Sequence, residues 1–350
     1  MLEPIFEADF KPVSYGFRPM RRAHDAVAEI RLLASNSYEW VLEGDITACF
    51  DEIDHTALMG RVRHRIGDKR VVGLVKAFLK AGILSEDQML RETTTGTPQG
   101  GILSPLLANV ALSVLDEFIA QTPGGPSTGK LERARRLRHG RANFRLVRYA
   151  DDWCLMVKGT RADAETLQEE IAGVLATMGL RLSEEKTLVT HIEEGLDFLG
   201  WRIQRHRKRG TNRHYVYVYP ANKAVQAVKR KVKMLCRQVN VNQSLDDLLR
   251  RLNPMLRGWC AYFRPGVSSA VFSYLSHYTW QTVWRWLRRK HRRATITELR
   301  RRYCGGRWWP ATRHREMFHP EKVSTTRYRY RGSVIPSPWP TTDEDTPHAA

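Results

Sequence analysis

The chain has 350 residues, enough for two or three domains with real cores, and a formal net charge of +20 from 57 basic and 37 acidic residues. An apolar content of 42% and a charged content of 27% describe a soluble globular protein. No apolar run approaches the roughly 20 residues of a membrane-spanning helix, and the opening MLEPIFEADF carries acid where a secretory signal carries base.

The charge is divided unevenly. Residues 1–200 hold 25 Lys/Arg against 29 Asp/Glu, whereas residues 201–350 hold 32 against 8, together with eight of the ten tryptophans. A basic, aromatic-rich half joined to a slightly acidic half predicts a polyanion-binding module attached to something else. The five cysteines (Cys49, Cys154, Cys236, Cys260, Cys304) are dispersed and form no CxxC pair, so they read as buried thiols of a reducing cytoplasm.

In chain order, residues 22–35 carry helical spacing through Ala26, Val27, Ile30 and Leu33. Residues 40–46 (WVLEGDI) read as a short buried strand ending at Asp45, followed by helices near 55–66 and 70–81. TTTGTPQGGILSP is a loop opening a long apolar helix over about 102–120. Residues 121–143 read as an exposed insert, flexible first and then strongly basic. Strands 144–149 and 153–158 flank an aspartate pair, and an amphipathic helix from Thr160 to Met178 stops at Gly179. Short strands follow at 181–183, 187–192, 197–203 and 214–219. From Asn222 the pattern turns helical, at 222–238, 244–252, 268–290 and 295–303, and Thr295 and Glu298 have capping-box spacing. The tail after Pro340 reads as disordered. The fold expectation is α+β over residues 1–220, then a basic all-helical part over 221–335, with 336–350 as the tail.

The aspartate pair, Asp151 and Asp152 in RYADDWCLMVK, carries the functional argument. Aspartates are good turn residues and can simply face water. Here their flanks are apolar, the pair lacks the glycine that a two-residue turn favours, and a second acidic site, Asp45 in EGDITACFD, ends a buried strand. Three carboxylates brought together repel one another and persist when divalent cations neutralise them. Paired Mg²⁺ ions on oxygen ligands are the device for in-line phosphoryl transfer.

With those residues in view, the chain resembles the group II intron-encoded reverse transcriptases/maturases. The motifs are SYGFRPMRRAHDAV (14–27), GDITACFDEIDH (44–55), GTPQGGILSPLLANVAL (96–112), RYADD (148–152), GLRLSEEKT (179–187) and FLGWRI (198–203), in the family's order. LNPMLRGWCAYF (252–263) and YCGGRWW (303–309) resemble the maturase-specific or thumb region. The resemblance implies a palm, an antiparallel sheet with packed helices, followed by a helical thumb. It implies an RNA-directed DNA polymerase that extends a primer 3′-hydroxyl with dNTPs using two Mg²⁺ ions, with Mn²⁺ as a substitute. Its partners would be group II intron RNA, an RNA template and a DNA primer, in a cytoplasmic ribonucleoprotein.

Residue by residue, Asp45 and Asp151 match the main metal ligands, Asp152 the third carboxylate, and the Ile46 carbonyl completes a metal shell. Phe50 matches the aromatic under the incoming sugar. Pro98, Gln99, Gly100 and Gly101 match the loop shaping the nucleotide pocket. Lys186 matches a lysine near the pyrophosphate, a candidate general acid. Asp51 and Asp54 read as structural or solvated. The expected RNA contacts are Arg205, Arg207, Lys208, Arg209, Lys229, Arg230, Lys231, Arg285, Arg288, Arg289 and Lys290, where Lys/Arg neutralise phosphates and neighbouring aromatics stack on bases.

The chain departs from the family in two respects. Only 13 residues precede Ser14, where complete members carry a fingers segment, so a truncated or degenerate reading frame, or a fragment, is expected. No endonuclease motif with paired cysteines follows the thumb. The alternative expectation is therefore a catalytically impaired, RNA-binding maturase acting only as a splicing cofactor. Another reverse-transcriptase lineage would keep the palm without LNPMLRGWCAYF.

Overall fold

The computed structural model describes residues 2–80, 83–84, 90–91, 95–97, 101–305, 308–332 and 335. The described residues divide into two compact units, the first within 2–199 and 204–216 together with 329–332 and 335, the second within 200–203 and 217–328. The expected disordered tail lies outside the described residues.

The first unit begins with α1 (Glu3–Glu7), α2 (Ala23–Ser35), β1 (Trp40–Gly44), α3 (Cys49–Glu52), α4 (His55–Arg65) and α5 (Lys69–Lys80). A short hairpin, β2 (Ile83–Leu84) with β3 (Leu90–Arg91), follows. Then come α6 (Ser104–Gln121), α7 (Lys130–Arg138), β4 (Asn143–Tyr149), β5 (Asp152–Lys158), α8 (Arg161–Ala176) and β6 (Leu188–His191). Strands β4, β5, β1 and β6 form, in that order, an antiparallel sheet. Residues 153–157 of β5 are all buried because helices cover both faces. Alternate residues Trp153, Leu155 and Val157 join Leu42 in a core with α4, α6 and α8. Strands β7 (Leu196–Phe198), β8 (Trp201–Arg207) and β9 (His214–Pro220) form a separate sheet.

The insert differs from its expected form. Gly124 and Gly125 are buried, and a Cβ on Gly125 would lie 2.0 Å from the Ile119 carbonyl oxygen. The Gly124 carbonyl accepts from the Phe144 N–H at 2.9 Å. Small residues let this loop fold down onto α6 and β4, and the basic stretch forms α7.

The second unit is helical: α9 (Asn222–Gln238), α10 (Leu245–Phe263), α11 (Ser269–Lys290), α12 (Ile296–Cys304) and a 3₁₀ turn at Pro320–Lys322. The predicted end of α10 at residue 252 is too early. The helix runs through Pro254 because Leu248, Leu252, Leu256, Cys260 and Phe263 continue one buried stripe, and burial outweighs the lost backbone bond. Trp286 is buried with its indole N–H donating to the Val239 carbonyl at 3.0 Å. Thr295 and Glu298 close the expected capping box at α12.

Candidate functional site

Asp45 stands one residue beyond β1, whose end is set by Gly44 opposite Trp153. A Cβ on Gly44 would lie 1.9 Å from the Trp153 ring, so the backbone and indole approach as only glycine allows. Beyond Asp45 the chain pairs with residues 181–183. The Thr47 N–H donates to the Arg181 carbonyl at 3.0 Å and the Ser183 N–H to the Asp45 carbonyl at 2.8 Å. These bonds flank Ile46 opposite Leu182 and leave the Ile46 carbonyl out of this pairing.

The β4–β5 turn is one residue earlier than the sequence predicts. Tyr149 pairs with Asp152, so the turn residues are Ala150 and Asp151, and Asp152 starts the strand. Ala150 takes a positive φ of 57°, an unusual conformation for alanine. Three buried groups hold it. Arg148 is fully buried and donates to both carboxylate oxygens of fully buried Asp116, at 2.8 and 2.5 Å. Its Nη1 also donates to the Asn109 side-chain oxygen at 2.9 Å and to the Ala150 carbonyl at 3.1 Å. The Asn109 amide donates to the Gly16 carbonyl at 2.9 Å, and a Cβ on Gly16 would lie 2.2 Å from the Ala150 nitrogen. The sequence reading missed Arg148, Asp116 and Asn109. Their signal was polarity inside an apolar strand and an apolar helix.

Asp45, Ile46, Phe50, Asp151, Ser183 and Lys186 line one open pocket of about 360 Å³. Partial desolvation, then the negative charges of Asp151 and Asp45, push the Asp152 carboxyl above its ordinary value, although the residue as a whole is exposed. Burial and the Asp151 charge push the Cys49 thiol up to about 12, so it lines the pocket as an inert neutral group. Lys186 places its ammonium 3.1 Å from an Asp45 oxygen; with side-chain exposures of 68% and 39% the pair is solvated and weak. Phe50 packs its ring against the core beneath. The Thr97 N–H donates to the Phe50 carbonyl at 2.6 Å and Gly96, at φ +82°, lies against Asp51. Thus the chain leading to residue 98 is anchored beside Phe50. Pro98, Gln99 and Gly100 themselves lie outside the described residues. Asp54 caps α4 by accepting from the Ala57 N–H at 2.7 Å, and Asp51 is exposed.

Among the described residues no three His, Cys, Asp or Glu side chains form a ready-made metal-holding group. The donor chemistry still fits a hard divalent ion. The carboxylates of Asp45 and Asp151 share a pocket, desolvation and both of their charges disfavour the Asp152 carboxylate, and the Lys186 ammonium beside Asp45 is solvated.

The expected RNA contacts fare unequally. The Arg205 side chain is 20% exposed and ion-paired with Glu39 and Glu193 within the first unit. Arg207, Lys208 and Arg209 are exposed, and the Arg207 Nε donates to the Thr211 carbonyl at 2.8 Å. Within the second unit, Lys229 lies over the Tyr274 and Tyr278 rings. Arg289 donates to the Cys236 carbonyl and Lys290 to that of Gln243, both at 2.8 Å, tying the end of α11 to α9 and the following loop. Arg230, Lys231, Arg285 and Arg288 are exposed. Residues 289–293 line an open basic recess of about 730 Å³.

Comparison with known proteins agrees with this layout. The family model described as reverse transcriptase (RNA-dependent DNA polymerase) matches residues 1–203, and that of the group II intron maturase-specific domain matches residues 225–305. Protein YkfC of Escherichia coli is 37% identical over 244 residues, covering 64% of this chain and 63% of its own length. The group II intron-encoded protein LtrA of Lactococcus lactis is 36% identical over 255 residues, covering 60% of this chain and 42% of its own length. The chain thus spans less than two thirds of either relative. A Candida albicans telomerase structure aligns over 81% of this chain and 50% of its own, at 13% identity and a TM-score of 0.43. That likeness is too slight to argue from.

Proposed function

The chain belongs to the reverse transcriptase family, in the group II intron-encoded branch with a maturase-specific domain, and from that premise we propose that it is an RNA-directed DNA polymerase. It extends a primer 3′-hydroxyl with dNTPs on an RNA template, and it binds its intron RNA to assist splicing and retrohoming as a cytoplasmic ribonucleoprotein. The observation that carries the reading is the pocket shared by Asp45 and Asp151, beside an Asp152 that both destabilise.

Asp45, Asp151, Asp152 and the Ile46 carbonyl would hold two Mg²⁺ ions, or Mn²⁺, which when bound supply Lewis acidity to the attacking and leaving oxygens. The chain's own groups do the rest. The Phe50 ring, fixed by the core, presents a flat wall where a sugar would lie and disfavours a 2′-hydroxyl. Lys186 holds a proton on Nζ at the pocket rim, where it can be given to a departing pyrophosphate. The exposed cations of α9 and α11 neutralise RNA phosphates.

The test is primer extension on an RNA template with dNTPs and Mg²⁺, beside Asp151→Asn. Synthesis by the native chain, falling by about 10²–10³-fold or more in the variant, is expected for loss of one charge-stabilising group. Equal synthesis by both would refute the mechanism. RNA binding without synthesis by the folded native chain would leave the splicing cofactor as the function.

A further inference from the structure

The first unit carries a basic surface that the polymerase pocket does not use. Residues 130–145 hold seven Lys/Arg and one acid, while the rest of residues 1–200 hold 18 Lys/Arg against 28 Asp/Glu. Six of the seven are arginine, the side chain whose planar fork suits phosphate oxygens. Most of them lie on α7, which has no buried residue although it contains two leucines. Leu131 is 87% exposed. Such a helix has no core to account for it.

Its inner side is tied by polar bonds. The Arg136 guanidinium donates to the Ala142 carbonyl at 3.2 and 3.0 Å, and the Asn143 amide donates to the Arg133 carbonyl at 3.0 Å. Arg133 and Arg136 are half-buried accordingly. At about 100° per residue, Lys130, Leu131, Ala134, Arg135 and Arg138 fall on one arc of about 140°, and all five are exposed. Three cations thus frame a small alanine over roughly 12 Å of helix, a length matching about three to four nucleotides of a strand. Arg135 lies 3.9 Å from Glu132 on the exposed surface, a weak pairing.

We propose that the outer face of α7 is an RNA-docking surface of the polymerase unit, with Lys130, Arg135 and Arg138 taking consecutive phosphates and Ala134 admitting the backbone. The inference rests on the proposed function, since it names a second place where the same RNA is gripped. Arginine enrichment and charge complementarity favour RNA. A membrane would require a broad apolar face, and α7 sets two exposed leucines, Leu131 and Leu137, among five cations.

The test uses the full chain with Lys130, Arg135 and Arg138 all changed to Gln, which keeps helix propensity and removes no buried group. Binding to a fluorescently labelled RNA hairpin with a single-stranded extension is measured by anisotropy against salt. The triple variant should lower the slope of log K on log salt by about two and weaken binding about 10–100-fold at 0.1 M salt, with circular dichroism unchanged. Unchanged slope and affinity, beside a native chain that binds, would overturn the inference alone. No binding by the native chain would overturn the proposed function with it. Binding to phosphatidylglycerol vesicles that the variant loses would also overturn it, by assigning the face to membrane.

Discussion

Asp116 and Asp151 are linked through Arg148 and a single turn of backbone, and the chain treats their charges in opposite ways. Asp116 is buried and receives two hydrogen bonds from Arg148, so its charge is neutralised within the fold. Asp151 opens into a pocket with Asp45, and desolvation together with the charges of these two raises the Asp152 carboxyl above its ordinary value. A chain that neutralises one carboxylate so completely, and leaves Asp45, Asp151 and Asp152 beside one another at the same sheet edge, is what the proposed divalent-cation site requires. The buried pair also explains how the turn holds its form. Arg148 bonds the carbonyl of Ala150, the residue with positive φ just before Asp151.

The sharpest way to break the comparison is Arg148→Met. It strands the Asp116 carboxylate in the core and should destabilise the protein by about 3–5 kcal/mol in urea unfolding. Arg148→Met with Asp116→Leu removes both charges and should recover much of that loss. If the single variant lost under about 1 kcal/mol, the pair would not be the anchor described here. Asp152→Asn should act with the opposite sign. Without divalent ions it removes a member of the repelling set and should leave stability unchanged or raise it by less than about 1 kcal/mol. A clear loss of stability would show that the carboxylate is satisfied by the fold.

A third carboxylate sharpens the contrast by size and sign. Burial pushes Glu29 up from its ordinary value, while hydrogen bonds from Tyr15 and Tyr330 partly offset this. Its folded pKa therefore lies above its unfolded value. The stability it contributes is present in full below the unfolded carboxylate pKa of about 4.3 and is lost as pH rises through the folded value. Unfolding of Glu29→Gln and the native chain should converge at low pH and shift in the variant's favour as pH rises through that window. A shift in the opposite direction would contradict the assigned cause.

Much of this was legible in the residues. Apolar runs around Asp45 and Asp151, and the helical spacing of 222–238 and 268–290, located the sheet edge and the basic helical unit. Three things were not legible, each for a physical reason. The turn slipped by one because the pairing of Tyr149 with Asp152 is set by the buried Arg148 network, which no local preference reveals. Helix α10 passed Pro254 because a buried stripe outweighs a local breaker. The ion pair of Arg205 was hidden because Glu39, far from it in sequence, becomes its partner only in the fold.

The central claim, that Asp45 and Asp151 jointly serve a divalent cation, is tested most directly by Mn²⁺ binding followed by electron paramagnetic resonance. The native chain would be titrated beside Asp45→Asn and Asp151→Asn. The account predicts saturable binding by the native chain that each substitution weakens at least about tenfold, roughly 1.4 kcal/mol. Equal Mn²⁺ binding by all three chains would contradict it.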